Sequence, residues 1–131
     1  MIIDSSAILA IVLREPDGRR YLTAVLDGEH RRMSVSNWLE VTMVVDRRGN
    51  ALAVNFLEEF MLNAAIELMP VSVSQAAIAR LAWRTFGRGV HPARLNYGDC
   101  FAYALAKETR EPLLFKGNDF ARTDIEPALK D

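Results

Sequence analysis

This chain has little to offer soft-metal or thiol chemistry. It contains one cysteine, Cys100, and two histidines, His30 and His91. One cysteine excludes an internal disulfide framework and any zinc site built on cysteine alone. Two distant histidines are too few for a zinc site, and each reads as an ordinary surface or loop residue. Cys100 has no neighbour that marks it as a thiolate nucleophile, so it reads as a packed residue. There is no glycine-rich phosphate loop, no GxSxG elbow and no HExxH pair. No uncharged apolar run approaches the roughly 18 residues of a membrane span. No basic region precedes the first apolar residues, so no secretory signal is expected. A reducing cytoplasm is the expected compartment. There is no repeat, low-complexity tract or linker, and 131 residues are read as one domain, 1–131. Half of the residues are hydrophobic and a quarter charged, an ordinary globular composition.

The net charge of −1 is silent about partners. Its distribution is not. Between Glu67 and Asp99 there is no acid, while Arg80, Arg84, Arg88 and Arg94 fall there with His91. Arginine greatly outnumbers lysine, and its planar fork suits phosphate. Arg84, Arg88 and Arg94 are therefore candidate nucleic-acid contacts, against the plain alternative of a solvated helix face.

Short apolar runs alternate with helical patterns. Ile2-Ile3 ends at Asp4 and reads as a buried strand. Ser5 or Ser6 is placed to cap the helix that follows. Arg19 to Leu26 is a second helix. Met33-Ser34-Val35 is a weak strand, and Ser36 would cap a helix carrying Glu40 in its first turn. Arg47-Arg48-Gly49 reads as that helix's end. Ala51 to Asn63 is amphipathic, and Ile66 to Val71 reads as a short strand. Ser74 would cap the helix up to Phe86. A loop through Tyr97-Gly98 feeds a helix with Asp99 in its first turn. Leu113-Leu114-Phe115 is a strand, Lys116 to Phe120 a turn, and Thr123-Asp124-Ile125 a last edge strand limited by Pro127.

This alternation indicates an α/β fold with a mainly parallel sheet. In such folds ligands bind beyond the carboxyl ends of the strands. Asp4 and Asp119 follow strands, and Glu40 and Asp99 open helices, which puts four acids on one rim. Four carboxylates sharing a small site repel unless a cation intervenes. Oxygen donors without a histidine or cysteine cluster favour Mg²⁺ or Mn²⁺ over zinc. The chemistry that follows is phosphodiester hydrolysis, with Glu40 acting through water or as general base. Ser6, a helix cap first, is also placed to orient a ligand or water. Asn118 is a turn residue first and a candidate substrate contact. Trp38 and Trp83 read as core or interface.

Three segments resemble a known family. Ile2-Ile3-Asp4-Ser5-Ser6-Ala7, Leu95-Asn96-Tyr97-Gly98-Asp99-Cys100-Phe101-Ala102-Tyr103-Ala104-Leu105-Ala106 and Leu113-Leu114-Phe115-Lys116-Gly117-Asn118-Asp119-Phe120, with Glu40 in an early helix, look like the PIN-domain ribonucleases. More narrowly, they look like the VapC toxins of bacterial type II toxin–antitoxin modules. The resemblance runs from Asp4 to about Ile125. It implies a three-layer α/β/α sandwich and an Mg²⁺- or Mn²⁺-dependent endoribonuclease. It implies that Asp4 and Asp99 bind metal directly, that Asp119 completes the cluster, and that Glu40 acts through water or as the base. The final turn offers Asp119 and Asp124 for the fourth acid, and Asp119 lies nearer the strand end. Ser6 matches a small hydroxyl residue often seen after the first acid. The resemblance also implies a homodimer, an RNA substrate and a cognate antitoxin whose C-terminal segment wraps the toxin.

Two readings from other classes stand beside this one. A receiver-type phosphoacceptor also gathers acids around Mg²⁺, and Lys116 fits its late lysine, but Ile66 to Val71 carries no terminal aspartate. A binding partner that kept the fold and lost activity would not need the four acids.

Overall fold

A computed structural model describes residues 1–48 and 50–130. The elements in chain order are β1 (Ile2–Ile3), α1 (Ser5–Val12), α2 (Gly18–Asp27), β2 (Arg32–Ser34), α3 (Val35–Arg47), α4 (Ala51–Asn63), β3 (Glu67–Met69), α5 (Val73–Phe86), α6 (Tyr97–Thr109) and β4 (Leu113–Leu114). Gly49, expected just beyond α3, lies outside the described residues.

The strands form a parallel sheet in the order β3-β2-β1-β4, with Ile2 opposite Arg32 and Leu113. The two innermost apolar pairs explain the layering. Successive side chains on a strand point to opposite faces. Ile3 and Leu114 enter a core built with α1, α2, α3 and α4. Ile2 and Leu113 enter a second core with Leu95, α6, Ala82 of α5, Phe120 and Ile125. All four residues are fully buried, which is why these strands read as unbroken apolar runs and not as alternating ones. The result is a three-layer α/β/α sandwich. β3 is the outer edge, so it tolerates the exposed Glu67 and Leu68.

Several boundaries differ from the sequence expectation for one reason: the cap is the residue whose side chain accepts from the first turn, and tertiary context chose it. Asp4 itself caps α1, accepting from Ser6 N, so Ser5 and Ser6 are helical. Ser34, the last residue of β2, caps α3 in place of Ser36, which puts Val35 in the helix and Glu40 in its second turn. Ser72 caps α5, and Ser74 instead donates to Glu108 at the far end of α6. No strand forms at Thr123-Asp124-Ile125. Phe120–Arg122 is a 3₁₀ turn, and the chain meets β4 only at Pro127, with Leu113 N donating to Glu126 O and Ala128 N to Leu113 O. Proline has no N–H for a longer ladder.

Asp99 reaches the rim by a route that strand-to-helix order does not predict. Its helix follows another helix. Gln75 at the start of α5 bonds Glu108 at the end of α6, while Gly87 and Leu95 pair at the opposite end. α5 and α6 are thus an antiparallel helical hairpin, and its turn delivers the first turn of α6 to the carboxyl end of the sheet.

Candidate active site

Asp4, Glu40, Asp99 and Asp119 line one cavity of about 290 Å³, together with Ser5, Ser6, Leu9, Val44, Asn96, Lys116 and Phe120. Each acid arrives on a different element. Asp4 sits between β1 and α1, Glu40 on α3, Asp99 at the start of α6, and Asp119 in the turn after β4.

Three of the four are held by named donors. Asp4 Oδ2 accepts from Ser6 N at 3.0 Å and Ser6 Oγ at 2.6 Å. Ser6 Oγ in turn accepts from Lys116 N at 2.9 Å, which ties the end of β1 to the end of β4. Asp99 Oδ2 accepts from Asn96 N, while Asp99 N donates to Asn96 Oδ1, a reciprocal capping box. Glu40 Oε1 accepts from Ser5 Oγ at 2.6 Å. Lys116, which lines the cavity, bonds Asp17 at 2.8 Å and Glu15 at 3.1 Å through Nζ.

The electrostatics are those of crowded acids. Asp4 is 3% exposed, and its Oδ1 is buried with no hydrogen-bond partner. Burial is the main force pushing its carboxyl up to about 6; the Ser6 bonds oppose this and the Glu40 charge adds to it. Asp99 is pushed up to about 7, first by burial, then by the charges of Asp4, Asp119 and Glu40 against the opposing bond from Asn96. An acid in a first helical turn ordinarily gains from the helix dipole; here burial wins, and the neighbouring charges add to it. The acids ring the cavity without converging, and among the described residues no three acid, histidine or cysteine side chains stand close enough together to hold a metal ion as placed. Glu40 is drawn to Ser5 and Asp99 to Asn96, which spreads the oxygens along the walls. The donor set is all oxygen, and the orphaned Asp4 Oδ1 is the atom a cation would satisfy. Such a set suits a hard divalent ion that keeps part of its own hydration.

The remaining expectations separate cleanly. Asp124 does not reach the cavity: it accepts from Tyr103 Oη at 2.7 Å and Lys107 Nζ at 2.8 Å. Asn118 is exposed and faces a different depression, with Arg20, Phe115 and Gly117. Arg84, Arg88 and Arg94 are exposed around the turn of the helical hairpin, beside the acid rim but outside its lining. His91 is structural, accepting from Ala93 N through Nδ1 and standing edge-on to Phe86. Cys100 is buried, and burial with the Asp99 charge pushes its thiol up to about 11, so it stays protonated. Sequence reasoning missed Ser5 as a partner of Glu40, and it missed Lys116 as a cavity wall. The Asn96–Asp99 box was legible as an N-cap followed three residues later by an acid. Nothing in the sequence pointed Ser5 at an acid 35 positions away.

Comparison with known proteins places the whole chain. The PIN domain profile matches residues 1–126. Ribonuclease VapC30 of Mycobacterium tuberculosis is 46% identical over 125 residues, covering 95% of each chain. Ribonuclease VapC28 of the same organism is 45% identical over 130 residues, covering 98% of each. Ribonuclease VapC of Mycolicibacterium smegmatis is 45% identical over 125 residues, covering 95% of this chain and 97% of that one. Two solved structures share the fold at 15% identity. One is VapC20 of Mycobacterium tuberculosis, described as a sarcin–ricin loop cleaving toxin (TM-score 0.73, 95% of each chain). The other is a toxin–antitoxin complex from Klebsiella pneumoniae (TM-score 0.70, 94% of this chain and 92% of that one). This chain belongs to the PIN-domain family, within its VapC branch.

Proposed function

We propose that this protein is an Mg²⁺-dependent endoribonuclease, able to use Mn²⁺, that acts as the toxin of a type II toxin–antitoxin module. The observation that carries the reading is the ring of Asp4, Glu40, Asp99 and Asp119 around one cavity, with Asp4 Oδ1 buried and unpartnered. Its relatives named ribonuclease VapC, at 45–46% identity over nearly the full chain, support the activity.

Asp4, Asp99 and Asp119 would hold the ion. A bound divalent ion would lower the pKa of a water and clamp a phosphoryl oxygen. The protein's own part is positional. Ser6 fixes one oxygen of Asp4 and leaves the other without a partner. The Asn96 backbone fixes one oxygen of Asp99 in the same way. Glu40, pinned by Ser5, acts through water or takes the proton of the attacking water. Arg84, Arg88 and Arg94 contact RNA phosphates beside the cut and position the strand without reading its sequence. A cognate antitoxin and a second copy of the chain are the proposed protein partners. Exposed Leu39, Met43, Trp83 and Tyr97 supply apolar surface for them.

The test is incubation of total cellular RNA with purified protein, with Mg²⁺, with EDTA, and with the Asp4→Asn variant. Discrete Mg²⁺-dependent fragments absent from the other two lanes are expected. Fragments that persist in the Asp4→Asn lane overturn the site. No cleavage despite measurable metal binding turns the reading to an inactive partner that kept the fold.

A further inference from the structure

Glu40 reaches the cavity from a helix that packs against both α1 and α6. It has the longest side chain of the four acids, so it needs the most restraint to present one geometry. Three residues supply that restraint. Ser5 is buried at the first position of α1, where its hydroxyl is free of capping duty because Asp4 caps the helix. Its Oγ donates to Glu40 Oε1 at 2.6 Å. On the other side, a Cβ built at Gly98 would lie 2.5 Å from Glu40 Oε2 and 3.1 Å from Cδ. The carboxylate therefore fills the space that any other residue at position 98 would take. Gly98 is helical, so close approach and not backbone freedom is what requires glycine here. Asn37, one turn before Glu40 on the same face of α3, donates from Nδ2 to Gly98 O at 3.0 Å. That bond sets how closely the first turn of α6 approaches the helix carrying Glu40.

We propose that Ser5, Gly98 and Asn37 form a positioning clamp that sets the Glu40 carboxylate in the cavity. Ser5 acts by a hydrogen bond, Gly98 by its missing side chain, and Asn37 by fixing the gap between the two helices. The inference rests on the metal-dependent reading above. It makes position 98 a determinant of the site even though glycine has no functional group. An alanine there displaces the flexible end of Glu40 before it disturbs backbone.

The experiment uses the full chain and two readouts, Mn²⁺ affinity by calorimetry and single-turnover RNA cleavage. The variants are Ser5→Ala, Ser5→Thr, Gly98→Ala, Glu40→Gln and Ser5→Ala combined with Glu40→Gln, each checked for folding by circular dichroism. Ser5→Ala and Gly98→Ala are expected to lose roughly tenfold in cleavage and to weaken Mn²⁺ binding, the scale of coupling between contacting residues. Ser5→Thr keeps the hydroxyl and is expected to retain both. In the Glu40→Gln background, Ser5→Ala is expected to change Mn²⁺ affinity no further. A merely structural role for Ser5 predicts the same loss in both backgrounds, and that result overturns the clamp. If Gly98→Ala does not fold, the serine variants carry the test. A wild-type chain that binds Mn²⁺ and cuts RNA with Ser5→Ala unaffected overturns the clamp alone. A wild-type chain that does neither overturns the functional reading as well.

Discussion

The acid cavity and the groove between α5 and α6 meet at the first turns of α6 and are built in opposite ways. Asn96 and Asp99 face the cavity. Tyr97, Cys100 and Phe101 face the groove, with Ala76, Ala79, Arg80 and Trp83 across it. The cavity is small, about 290 Å³, and three of its four acids accept from named donors. The groove is about 630 Å³, almost wholly apolar, and rimmed by side chains as exposed as Tyr97 at 79%. Chemistry on a phosphodiester needs a few oxygens held in place. Association with a macromolecule needs area and apolar anchors. One helix borders both because residues three and four apart share a face, so 96 and 99 separate from 97, 100 and 101.

The largest expected effect breaks the cavity and spares the groove. Asp99→Asn should reduce single-turnover RNA cleavage by about a thousandfold or more, with folding unimpaired by thermal melt. An unchanged rate at matched Mg²⁺ removes Asp99 from the site. The complementary change breaks the apolar surface alone. Met43 is 60% exposed on α3 beside Tyr97, and Met43→Glu should convert a dimer to a monomer in sedimentation with the melting temperature unchanged. A wild-type chain that is already monomeric removes this face from the dimer reading. Replacing Arg84, Arg88 and Arg94 together with glutamine should weaken RNA binding and reduce its log–log salt slope by about 2, at roughly 0.7 per phosphate contact on single strands. An unchanged slope returns these residues to a solvated face.

A pH series sharpens the contrast, because the two acids that burial pushes up, Asp4 and Asp99, both line the cavity. An unfolded aspartate titrates near about 3.9, whereas folded Asp4 and Asp99 stand at about 6 and about 7. Between these values the folded chain binds more protons at these two sites than the unfolded one, so their contribution to metal-free stability is full below about pH 4 and falls as pH rises to about 7. Added Mg²⁺ should restore stability at pH 7.5 far more than at pH 5, and Asp99→Asn should flatten the dependence. A melting temperature that rises between pH 5 and pH 7 without metal contradicts the upward shift of the two buried acids. The smallest effect is expected at Ser6. Ser6→Ala removes the hydroxyl shared by Asp4 and Lys116 N and should cost about 1–2 kcal/mol in urea unfolding. A loss below the error of that measurement would mean that water replaces the hydroxyl.

Local pattern carries the helices, the buried strands and the candidacy of the four acids. Apolar periodicity reports which residues must leave water, and strand ends followed by acids report a rim. Choices between near neighbours were not legible. Ser34 over Ser36 and Ser72 over Ser74 as caps depend on where the preceding segment ends and on the reach of Glu108. Asp119 over Asp124 was the exception, legible from its nearness to the strand end, and the structure adds the reason, Tyr103 and Lys107 holding Asp124 elsewhere.

The sequence by itself determined an α/β chain with oxygen-donor acids at element ends, because hydrophobic spacing and residue chemistry are local properties. The tertiary structure alone decided that Ser5, Asn37 and Gly98 hold one of them. A hydrogen bond across 35 positions, or a carboxylate filling the space of an absent Cβ 58 residues along the chain, exists only once three helices pack together.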